Sequence, residues 1–427
     1  MVAALALELL GCAAAQSRAS TGDEVSSSED DDDGSTASTT STGSASSGSD
    51  DDSSETSGSG STSSSGADDS SGGSETGETP TGWMLEYHSC PGPSRTDALL
   101  IEADGAWVGC GSNAVGYGLH ARGGDGTWAE VVAEPAGELD AFRVSAIARG
   151  DDGLLYIAGF DASDSDMVLS VDTEASPNAV EEVLVAGNIV GTSFHVGSLA
   201  VLDDGRIVAE SLTGLGMLVR PDENTGSNAT TWIDAYYWAN GGSPPGYQMQ
   251  DLFTRGDGLY GSGATIAEPP YLYLPPRDAA AEPWELEVLQ LPNEGWTGEM
   301  WGVAATPERV VVVGVDQDGD VGKIFVSGSD PYDGLGYTTT DLTAIGGDGN
   351  VGTWARGVCM RGDQIVVVGE RQPLSDGTGL VLRSTDGGAT FEDLTPEDVT
   401  ESVSKCFIAP NGSVIVAGAG GFVGRYD

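Results

Sequence analysis

The chain has 427 residues and a formal net charge of -50, because 67 Asp and Glu residues outnumber 17 Lys and Arg. This charge argues against nucleic-acid binding, since the phosphate backbone requires a basic surface. No apolar run reaches the roughly 20 residues of a membrane-spanning helix. With 39% hydrophobic residues and 64 glycines, the composition favours an all-β globular domain joined to a disordered segment.

Residues 1–12 have the pattern of an export signal. An apolar stretch from Val2 to Leu10 leads into Leu9-Leu10-Gly11-Cys12, which resembles the lipobox of bacterial lipoproteins. In that family a peptidase cuts before the cysteine and the thiol carries the lipid, so the resemblance implies lipidation at Cys12. An ordinary secretory signal, or a chance apolar start with a single cysteine, is the alternative.

Residues 13–80 have the composition of a disordered linker. They are almost all Ser, Thr, Gly, Asp and Glu, with acidic runs at 30–33 and 50–52. Such a segment has too few apolar side chains to offset the entropy of ordering it. We predict an extended, flexible spacer, because glycine and serine loosen the chain and its carboxylates repel each other. A calcium-binding acidic tract is the less favoured alternative.

Residues 81–427 repeat one hairpin pattern seven times: an apolar strand, a turn and a second apolar strand. Successive hairpins begin about 50 residues apart, which is the period of a propeller blade. In six of the seven hairpins, a glycine lies among the last residues of the second strand. The hairpins span residues 98–111, 145–159, 197–211, 250–263, 302–314, 356–369 and 403–418.

A third strand that usually ends on Asp follows each hairpin, and then a fourth strand often opened by an aromatic residue, as over 337–345. The seventh repeat stops after its third strand at Asp427, whereas residues 82–89 resemble a fourth strand opened by Trp83. We therefore predict an all-β fold over 81–427: a seven-bladed β-propeller of four-stranded antiparallel blades, preceded by a disordered tail. The N-terminal strand closes the last blade and leaves no open sheet edge.

One turn carries a specific motif, since Ser384, Asp386, Gly388, Thr390 and Phe391 match the pattern S-x-D-x-G-x-T-[WF]. The chain thereby resembles the BNR/Asp-box propellers, which are sialidase-like and YCF48-like. The resemblance implies a structural turn between the third and fourth strands. The residue chemistry agrees, because the Asp caps backbone N–H groups, the Gly permits the bend and the aromatic ring packs between blades.

A sialidase-like glycoside hydrolase is the enzymatic alternative that this resemblance implies. Such an enzyme needs an arginine cluster for the substrate carboxylate, and Arg143 and Arg356 lie near the starts of inner strands. No third arginine has a matching place, the three histidines are dispersed, and the folded part contains no zinc motif or nucleophile elbow. We predict no catalytic residue and no cofactor.

One acidic loop has carboxylates at alternate positions, a geometry that a calcium ion can use. These are Asp316, Asp318 and Asp320, which flank Gly319. Solvated turn aspartates are the favoured interpretation, because the glutamate that completes an EF-hand loop is missing.

Aromatic residues are concentrated where the predicted loops share one mouth of the central channel. Trp301 and Trp354 are predicted to occupy matching positions near the starts of two inner strands. A rim of this kind can stack on a sugar or clamp a peptide, and packing between blades is the alternative for each aromatic residue. The predicted rim residues are Trp238, Tyr247, Trp296, Trp301, Trp354, Arg143 and Arg356.

Four cysteines remain after Cys12, an even number that suggests disulfides in an exported domain. Cys359 and Cys406 lie on the innermost strands of adjacent predicted blades, so we predict that they are bonded. Cys90 and Cys110 form the second predicted pair, and buried free cysteines are the alternative.

Taken together, these features predict an exported protein that is lipid-anchored at the bacterial cell envelope, on the outer membrane or the cell surface. We expect a monomer that binds or scaffolds an unidentified protein or glycan and performs no reaction. It contacts the membrane only through its lipid anchor and binds no nucleic acid. Glycoside hydrolysis is the alternative function.

Overall fold

The computed structural model describes most of residues 82–427 and one dipeptide before them. The described ranges are 16–17, 82–87, 95–103, 105–111, 118–131, 133–134, 142–160, 166–175, 178–185, 196–203, 205–211, 216–219, 233–234, 249–255, 258–263, 270–278, 281, 286–292, 298–316, 319–346, 352–371, 378–397, 399 and 401–427.

Within these ranges the regular secondary structure is almost entirely β-strand, arranged in six sheets that we call A to F. Two strands precede sheet A: β1 (Gln16–Ser17) and β2 (Trp83–Tyr87). Sheet A contains β3 (Arg95–Ile101), β4 (Ala106–Gly111), β5 (Gly118–Arg122) and β6 (Trp128–Glu130). Sheet B contains β7 (Ala133–Glu134), β8 (Arg143–Arg149), β9 (Leu155–Phe160), β10 (Asp166–Asp172) and β11 (Asn178–Val185).

The remaining sheets follow in chain order. Sheet C contains β12 (Val196–Val201), β13 (Ile207–Ser211), β14 (Gly216–Val219) and β15 (Ile233–Asp234). Sheet D contains β16 (Met249–Arg255), β17 (Gly258–Gly263), β18 (Tyr271–Leu274) and β19 (Glu287–Gln290). Sheet E contains β20 (Gly298–Thr306), β21 (Arg309–Asp316), β22 (Val321–Val326), β23 (Thr338–Asp341), β24 (Thr353–Arg361), β25 (Gln364–Arg371), β26 (Thr378–Ser384) and β27 (Glu392–Asp393). Sheet F contains β28 (Val403–Ile408), β29 (Val414–Gly418) and β30 (Phe422–Tyr426), with β2 at its edge.

Most of the pairing is between strands that are consecutive in the chain and antiparallel. Sheet E consists of two such runs, β20 to β23 and β24 to β27, which are joined by one parallel bridge between Val321 and Thr353. Two pairings were not expected from the sequence. The short strand β7 pairs in parallel with β11, and β1, inside the predicted linker, pairs antiparallel with β16.

Sheet F joins the two ends of the described domain. Strand β2 pairs antiparallel with β30, from Trp83 opposite Tyr426 to Tyr87 opposite Phe422. The Trp83 and Tyr426 rings also lie 5.4 Å apart. The strand before the first hairpin therefore occupies the fourth place of the last sheet, where the repeat pattern requires a strand.

The first strands of the hairpins contact one another in sequence order. Strand β3 contacts β8, β8 contacts β12, β12 contacts β16, β16 contacts β20, β20 contacts β24, β24 contacts β28, and β28 contacts β3. The sheets therefore surround a common axis with these strands innermost, which is the arrangement of a β-propeller. Apolar side chains fill the spaces between neighbouring sheets, as in the cluster of Leu100, Leu119, Ile147 and Leu169 between sheets A and B.

Every first strand has a register shift near its start, where an extra residue stands opposite the second strand. The shifts lie between residues 96 and 98, 144 and 146, 196 and 199, 249 and 251, 300 and 302, 355 and 357, and 403 and 405. A bulge of this kind bends the strand and re-aims the extra side chain.

The bulge explains the glycine near the end of the second strands. A Cβ at Gly159 would lie 1.7 Å from the carbonyl oxygen of Arg143, and a Cβ at Gly369 would lie 1.9 Å from that of Trp354. The first strand therefore approaches too closely for any side chain. In sheet C, the hairpin without this glycine, two residues stand opposite the fully buried Glu210.

Two short helices occur in the described ranges, a 3-10 helix at Gly334–Gly336 and α1 at Thr343–Gly346. The predicted fourth strand over 337–345 was therefore wrong at its end. The strand stops at Asp341, because Leu342 is buried in the core of sheet E and the chain then turns, with the Ile345 N–H donating to the Leu342 carbonyl. Neither described helix has the length or apolarity needed to cross a bilayer.

A disulfide joins two neighbouring first strands. Cys359 of β24 and Cys406 of β28 are bonded, with their Cα atoms 5.9 Å apart. Cys110 is also disulfide-bonded, and Cys90, its predicted partner, lies outside the described residues. The Cys359–Cys406 bond closes a loop across the last two hairpins and covalently attaches sheet F to sheet E.

Replacing Cys359 and Cys406 by Ala together is expected to lower the free energy of unfolding by about 2–4 kcal/mol. The bond closes a loop of 47 residues, for which the loss of chain entropy in the unfolded state predicts the upper end of that range. Urea unfolding of the oxidised wild type and of the double variant measures the difference, and equal midpoints would contradict this role.

Gly369→Ala is expected to destabilise the domain by at least about 2 kcal/mol, because the new Cβ would overlap the Trp354 carbonyl. Gly124→Ala is the control, since a Cβ there meets no atom within 4 Å, and it should change stability by less than about 0.5 kcal/mol. Thermal unfolding of both variants measures the two losses of stability. If Gly369→Ala destabilised the domain no more than Gly124→Ala does, the close approach at the bulge would not require a glycine.

Candidate functional site

Three predicted rim residues come together at the start of β20 and β24. The guanidinium carbon of Arg356 lies 4.2 Å from the centre of the Trp301 ring and 4.7 Å from that of Trp354. The two indole rings are 5.5 Å apart and tilted by 50°. The Arg356 Nη2 also donates to Glu370 Oε1 over 2.7 Å. We call Trp301, Trp354, Arg356 and Glu370 the Trp–Arg cluster.

The bulges place these side chains. Trp301 and Arg356 are the extra residues of the bulges in β20 and β24, so they occupy equivalent positions on neighbouring first strands. Trp354 lies two residues before its bulge and stands opposite Glu370 of β25. The prediction that Trp301 and Trp354 hold matching positions was therefore wrong. The residue of β24 that is equivalent to Trp301 is Arg356, because both are the extra residue of their bulge.

Burial decides what the Trp–Arg cluster can offer a ligand. Trp301 is 2% exposed and its Nε1 donates to Glu299 Oε2 over 2.8 Å, so its ring packs between sheets. Arg356 is also buried, and Glu370 compensates its charge. Trp354 is partly exposed, while its Nε1 is buried and makes no hydrogen bond. Trp354 is thus the more accessible of the two indole side chains, and its cation–π contact with Arg356, worth about 1 kcal/mol, helps to hold its ring in place.

The other predicted rim residues are not part of this cluster. Arg143 of β8 lies over the Phe160 ring, 5.2 Å from its centre. Strand β8 is separated from β24 by β12, β16 and β20 on one side and by β3 and β28 on the other. Trp238, Tyr247 and Trp296 lie outside the described residues.

Two buried charged side chains on first strands were missed by the sequence reasoning. Asp251 of β16 and Lys405 of β28 are each 1% exposed. Burial raises the pKa of Asp251 well above its ordinary value, although the charge of Lys405 and the N–H of Val303, 3.1 Å from Asp251 Oδ2, act in the opposite direction. Lysine is rare in this chain, with two among 17 basic residues, but nothing in the sequence around Lys405 or Asp251 indicates burial.

The Asp-box turn has the geometry of a structural element. Asp386 Oδ2 accepts from Thr390 Oγ1 over 2.6 Å, and its Oδ1 accepts from the Thr390 N–H and from Ser384 Oγ. Gly388 adopts a φ of +93° and donates its N–H to Ser384 Oγ. Phe391 packs against the core of sheet E. The motif closes the turn between β26 and β27.

The candidate calcium loop is described only in part. Asp316 Oδ2 lies 3.8 Å from Lys323 Nζ, which also lies 2.7 Å from Asp341 Oδ1, so a lysine already compensates this carboxylate. Asp320 adopts a φ of +50°, and Asp318 lies outside the described residues. The part of the chain that the structure describes contains no group of three His, Cys, Asp or Glu side chains able to hold a metal. The calcium site stays a prediction.

Comparisons with known proteins identify the fold of this chain and do not identify its function. No family model and no curated protein match the chain. The structure of YCF48 bound to D1 peptide aligns with a TM-score of 0.54 and 16% identity, over 82% of this chain and 98% of that one. Virginiamycin B lyase from Staphylococcus aureus aligns with a TM-score of 0.55 and 10% identity, over 81% of this chain and 99% of the lyase. The GH74 xyloglucanase from Xanthomonas campestris aligns with a TM-score of 0.54 and 14% identity, over 80% of this chain and 53% of the xyloglucanase.

These identities are low, so the likeness shows only that the chain is an all-β propeller. The three similar proteins differ in function by their names alone: one is bound to a peptide, one is a lyase and one is a xyloglucanase. A shared propeller fold does not transfer any of these activities.

Asp386→Asn is expected to remove an acid-sensitive part of the stability. Hydrogen bonds from Thr390 and Ser384 hold the pKa of Asp386 at about 2, below its ordinary value of 3.8. A lowered folded-state pKa contributes stability that is complete above the ordinary value and is lost as the pH falls through the folded value. The stability difference between wild type and variant should be constant above about pH 5 and shrink as the pH falls from about 5 to about 2.

Urea unfolding at a series of pH values measures this difference. Asp151→Asn, at an exposed turn aspartate, is the control for removing one surface carboxylate. A flat profile for Asp386→Asn would show that the Asp-box hydrogen bonds do not depend on the charged carboxylate.

Proposed function

We propose that this chain is an exported, lipid-anchored, seven-bladed propeller that binds a partner at one mouth of its central channel. The blade count is supported by the ring of contacts among β3, β8, β12, β16, β20, β24 and β28, each of which begins one hairpin. It is also supported by sheet E, whose two runs of four strands share a single bridge and therefore count as two blades.

Export is supported by the cysteines and by the N-terminal sequence. Disulfides such as Cys359–Cys406 persist in oxidising compartments outside the cytoplasm. The segment ending at Gly11-Cys12 resembles a lipobox, so Cys12 is the proposed lipid attachment site. The predicted spacer over residues 13–80 is not retained in full, because Gln16–Ser17 pair with β16 of the propeller.

Binding at the mouth is supported above all by the partly exposed ring of Trp354 in the Trp–Arg cluster. The ring is held in place, because it packs 5.5 Å from the Trp301 ring and because Arg356, itself fixed by Glu370, contacts both rings. A preorganised indole face loses little entropy when it binds, which is why tryptophan is frequent among residues that dominate binding energy. The partner is a protein or a glycan that places an apolar face on this ring.

Sialidase-like hydrolysis is the second candidate, and one observation weakens it. The arginines of such an enzyme must bind the carboxylate of the substrate. Arg356 is instead paired with Glu370 in an ion pair, and both side chains are buried. Arg143 is in another sheet, over Phe160. Hydrolysis of a sialoside that is lost in Arg356→Ala would support this candidate over simple binding.

Glycan and peptide arrays probed with the wild type and with Trp354→Ala test the binding proposal. We expect ligands that bind the wild type to lose at least about tenfold in affinity with Trp354→Ala, because the variant removes a central aromatic contact. Trp107→Ala should leave binding unchanged. It is the matched control, since Trp107 also stacks with an arginine, Arg149, and donates to a glutamate, Glu102. Trp107 follows the turn between β3 and β4, at the end of the hairpin away from the bulge.

Circular dichroism and thermal unfolding of both variants establish that they are folded. The proposal is refuted if the arrays bind equally well to Trp354→Ala and to the wild type, or if Trp107→Ala weakens binding as much as Trp354→Ala does. In either case the Trp–Arg cluster would serve only to pack β20 against β24.

A further inference from the structure

Two nearly identical side-chain triads hold neighbouring sheets together. In the first, Glu86 accepts from Arg122 Nε and Nη2, each over 2.6 Å, and from Trp128 Nε1 over 3.2 Å. In the second, Glu102 accepts from Arg149 Nε and Nη2, each over 2.8 Å, and from Trp107 Nε1 over 2.6 Å. Each glutamate thus receives a bidentate arginine and one indole N–H, a strong and geometrically specific arrangement.

The triads lie at two different joints. Glu86 is on β2 of sheet F, while Arg122 and Trp128 are on β5 and β6 of sheet A. We call the boundary between sheets F and A the chain-end joint, because β2 and β30 meet there. The second triad links Glu102 and Trp107 of sheet A to Arg149 of β8 in sheet B.

The apolar cores behind the two triads differ in size. Among the described residues, the cluster between sheets A and B has twelve buried side chains, several of them Leu, Ile or Phe. The cluster at the chain-end joint has four, Leu99, Val108, Ala417 and Val423, which is the smallest of the clusters described. Burial of apolar area is the main force that holds sheets together, so this joint depends most on its polar contacts.

Sheet F is held far more firmly on its other side. The Cys359–Cys406 disulfide joins it to sheet E, and the Trp83 Nε1 donates to the Leu394 carbonyl over 2.5 Å. A core of eleven buried residues also lies between these two sheets. Any separation of sheet F from its neighbours therefore meets the least resistance at sheet A.

We propose that the propeller ring opens locally at the chain-end joint and that the Glu86–Arg122–Trp128 triad is the latch that keeps it closed. The side chains of Arg122 and Glu86 are 34% and 39% exposed, so water and salt reach the latch. Screening by salt weakens exposed ion pairs, whereas the disulfide and the core on the other side of sheet F do not respond to it in this way. The inference rests on the described joints and does not require the proposed binding function.

Thiol labelling at two buried alanines tests the latch. Ala417→Cys places a thiol in the chain-end joint, and Ala98→Cys places one between sheets A and B, and both alanines have no exposed area. We expect the Ala417→Cys thiol to be labelled at least about tenfold faster, since the labelling rate of a buried thiol follows the fraction of open molecules. Raising the salt from 0.05 M to about 1 M should speed only this labelling.

The latch itself is tested by adding Glu86→Gln or the matched Glu102→Gln to each cysteine variant. Because the pair is partly exposed, removing the charge of the glutamate should raise the opening fraction about threefold to tenfold. We expect Glu86→Gln to raise the labelling rate of Ala417→Cys by that factor and Glu102→Gln to leave it unchanged. Peptide mapping separates the introduced thiol from the native cysteines.

Two results would overturn the proposal. One is equal labelling of Ala417→Cys and Ala98→Cys in the otherwise wild-type chain, and the other is an equal effect of Glu102→Gln and Glu86→Gln on Ala417→Cys. If Ala417→Cys does not fold, hydrogen exchange of the amides that pair β2 with β30 replaces labelling, and faster exchange in Glu86→Gln than in Glu102→Gln is then the result required.

Discussion

The pairing of β2 with β30 is the contact on which the rest of the structure depends. The sheets surround an axis, so each one buries its faces against two neighbours, and a ring that did not close would expose two of those faces to water. The Trp83–Tyr87 strand closes the ring by adding to a sheet whose other strands come from the opposite end of the domain. Its side chains then reach both neighbouring sheets, through Trp83 to Leu394 and through Glu86 to Arg122.

The bulge near the start of each first strand connects this architecture to the candidate site. At Gly159 and Gly369 it requires a glycine on the second strand, because the carbonyl of the first strand comes within 2 Å of where a Cβ would lie. It also projects one extra side chain per first strand. In two neighbouring strands those extra residues are Trp301 and Arg356, so a feature that shapes the blade also assembles the Trp–Arg cluster.

Charge is distributed unevenly between the surface and the joints. Residues 81–427 contain 51 of the 67 acidic residues and 16 of the 17 basic ones. Many of the basic side chains are paired inside the domain, as Arg122, Arg149 and Arg356 are with glutamates, so they hold sheets and aromatic rings in place. The excess negative charge therefore remains for the surface, which repels anionic ligands in general.

Local patterns in the sequence were sufficient to predict the repeat, the closing strand near Trp83, the proximity of Cys359 and Cys406, and the Asp-box turn. Each of these depends on residues close together in the chain or on a period that recurs along it. The sequence could not show that Arg356, and not Trp354, is the equivalent of Trp301, because that depends on a bulge whose position follows from pairing with the second strand.

The contacts between sheets were also decided only by the tertiary structure. Asp251 and Lys405 lie more than 150 positions apart in the chain, and no pattern around either predicts that both are buried on first strands. The same holds for Glu86, which reaches Arg122 and Trp128 only because the ring brings its last sheet against its first. The amino-acid sequence by itself therefore determined the repeat and its closure. Burial, charge pairing and the membership of the candidate site were decided by packing between sheets, since those contacts join residues that no local period relates.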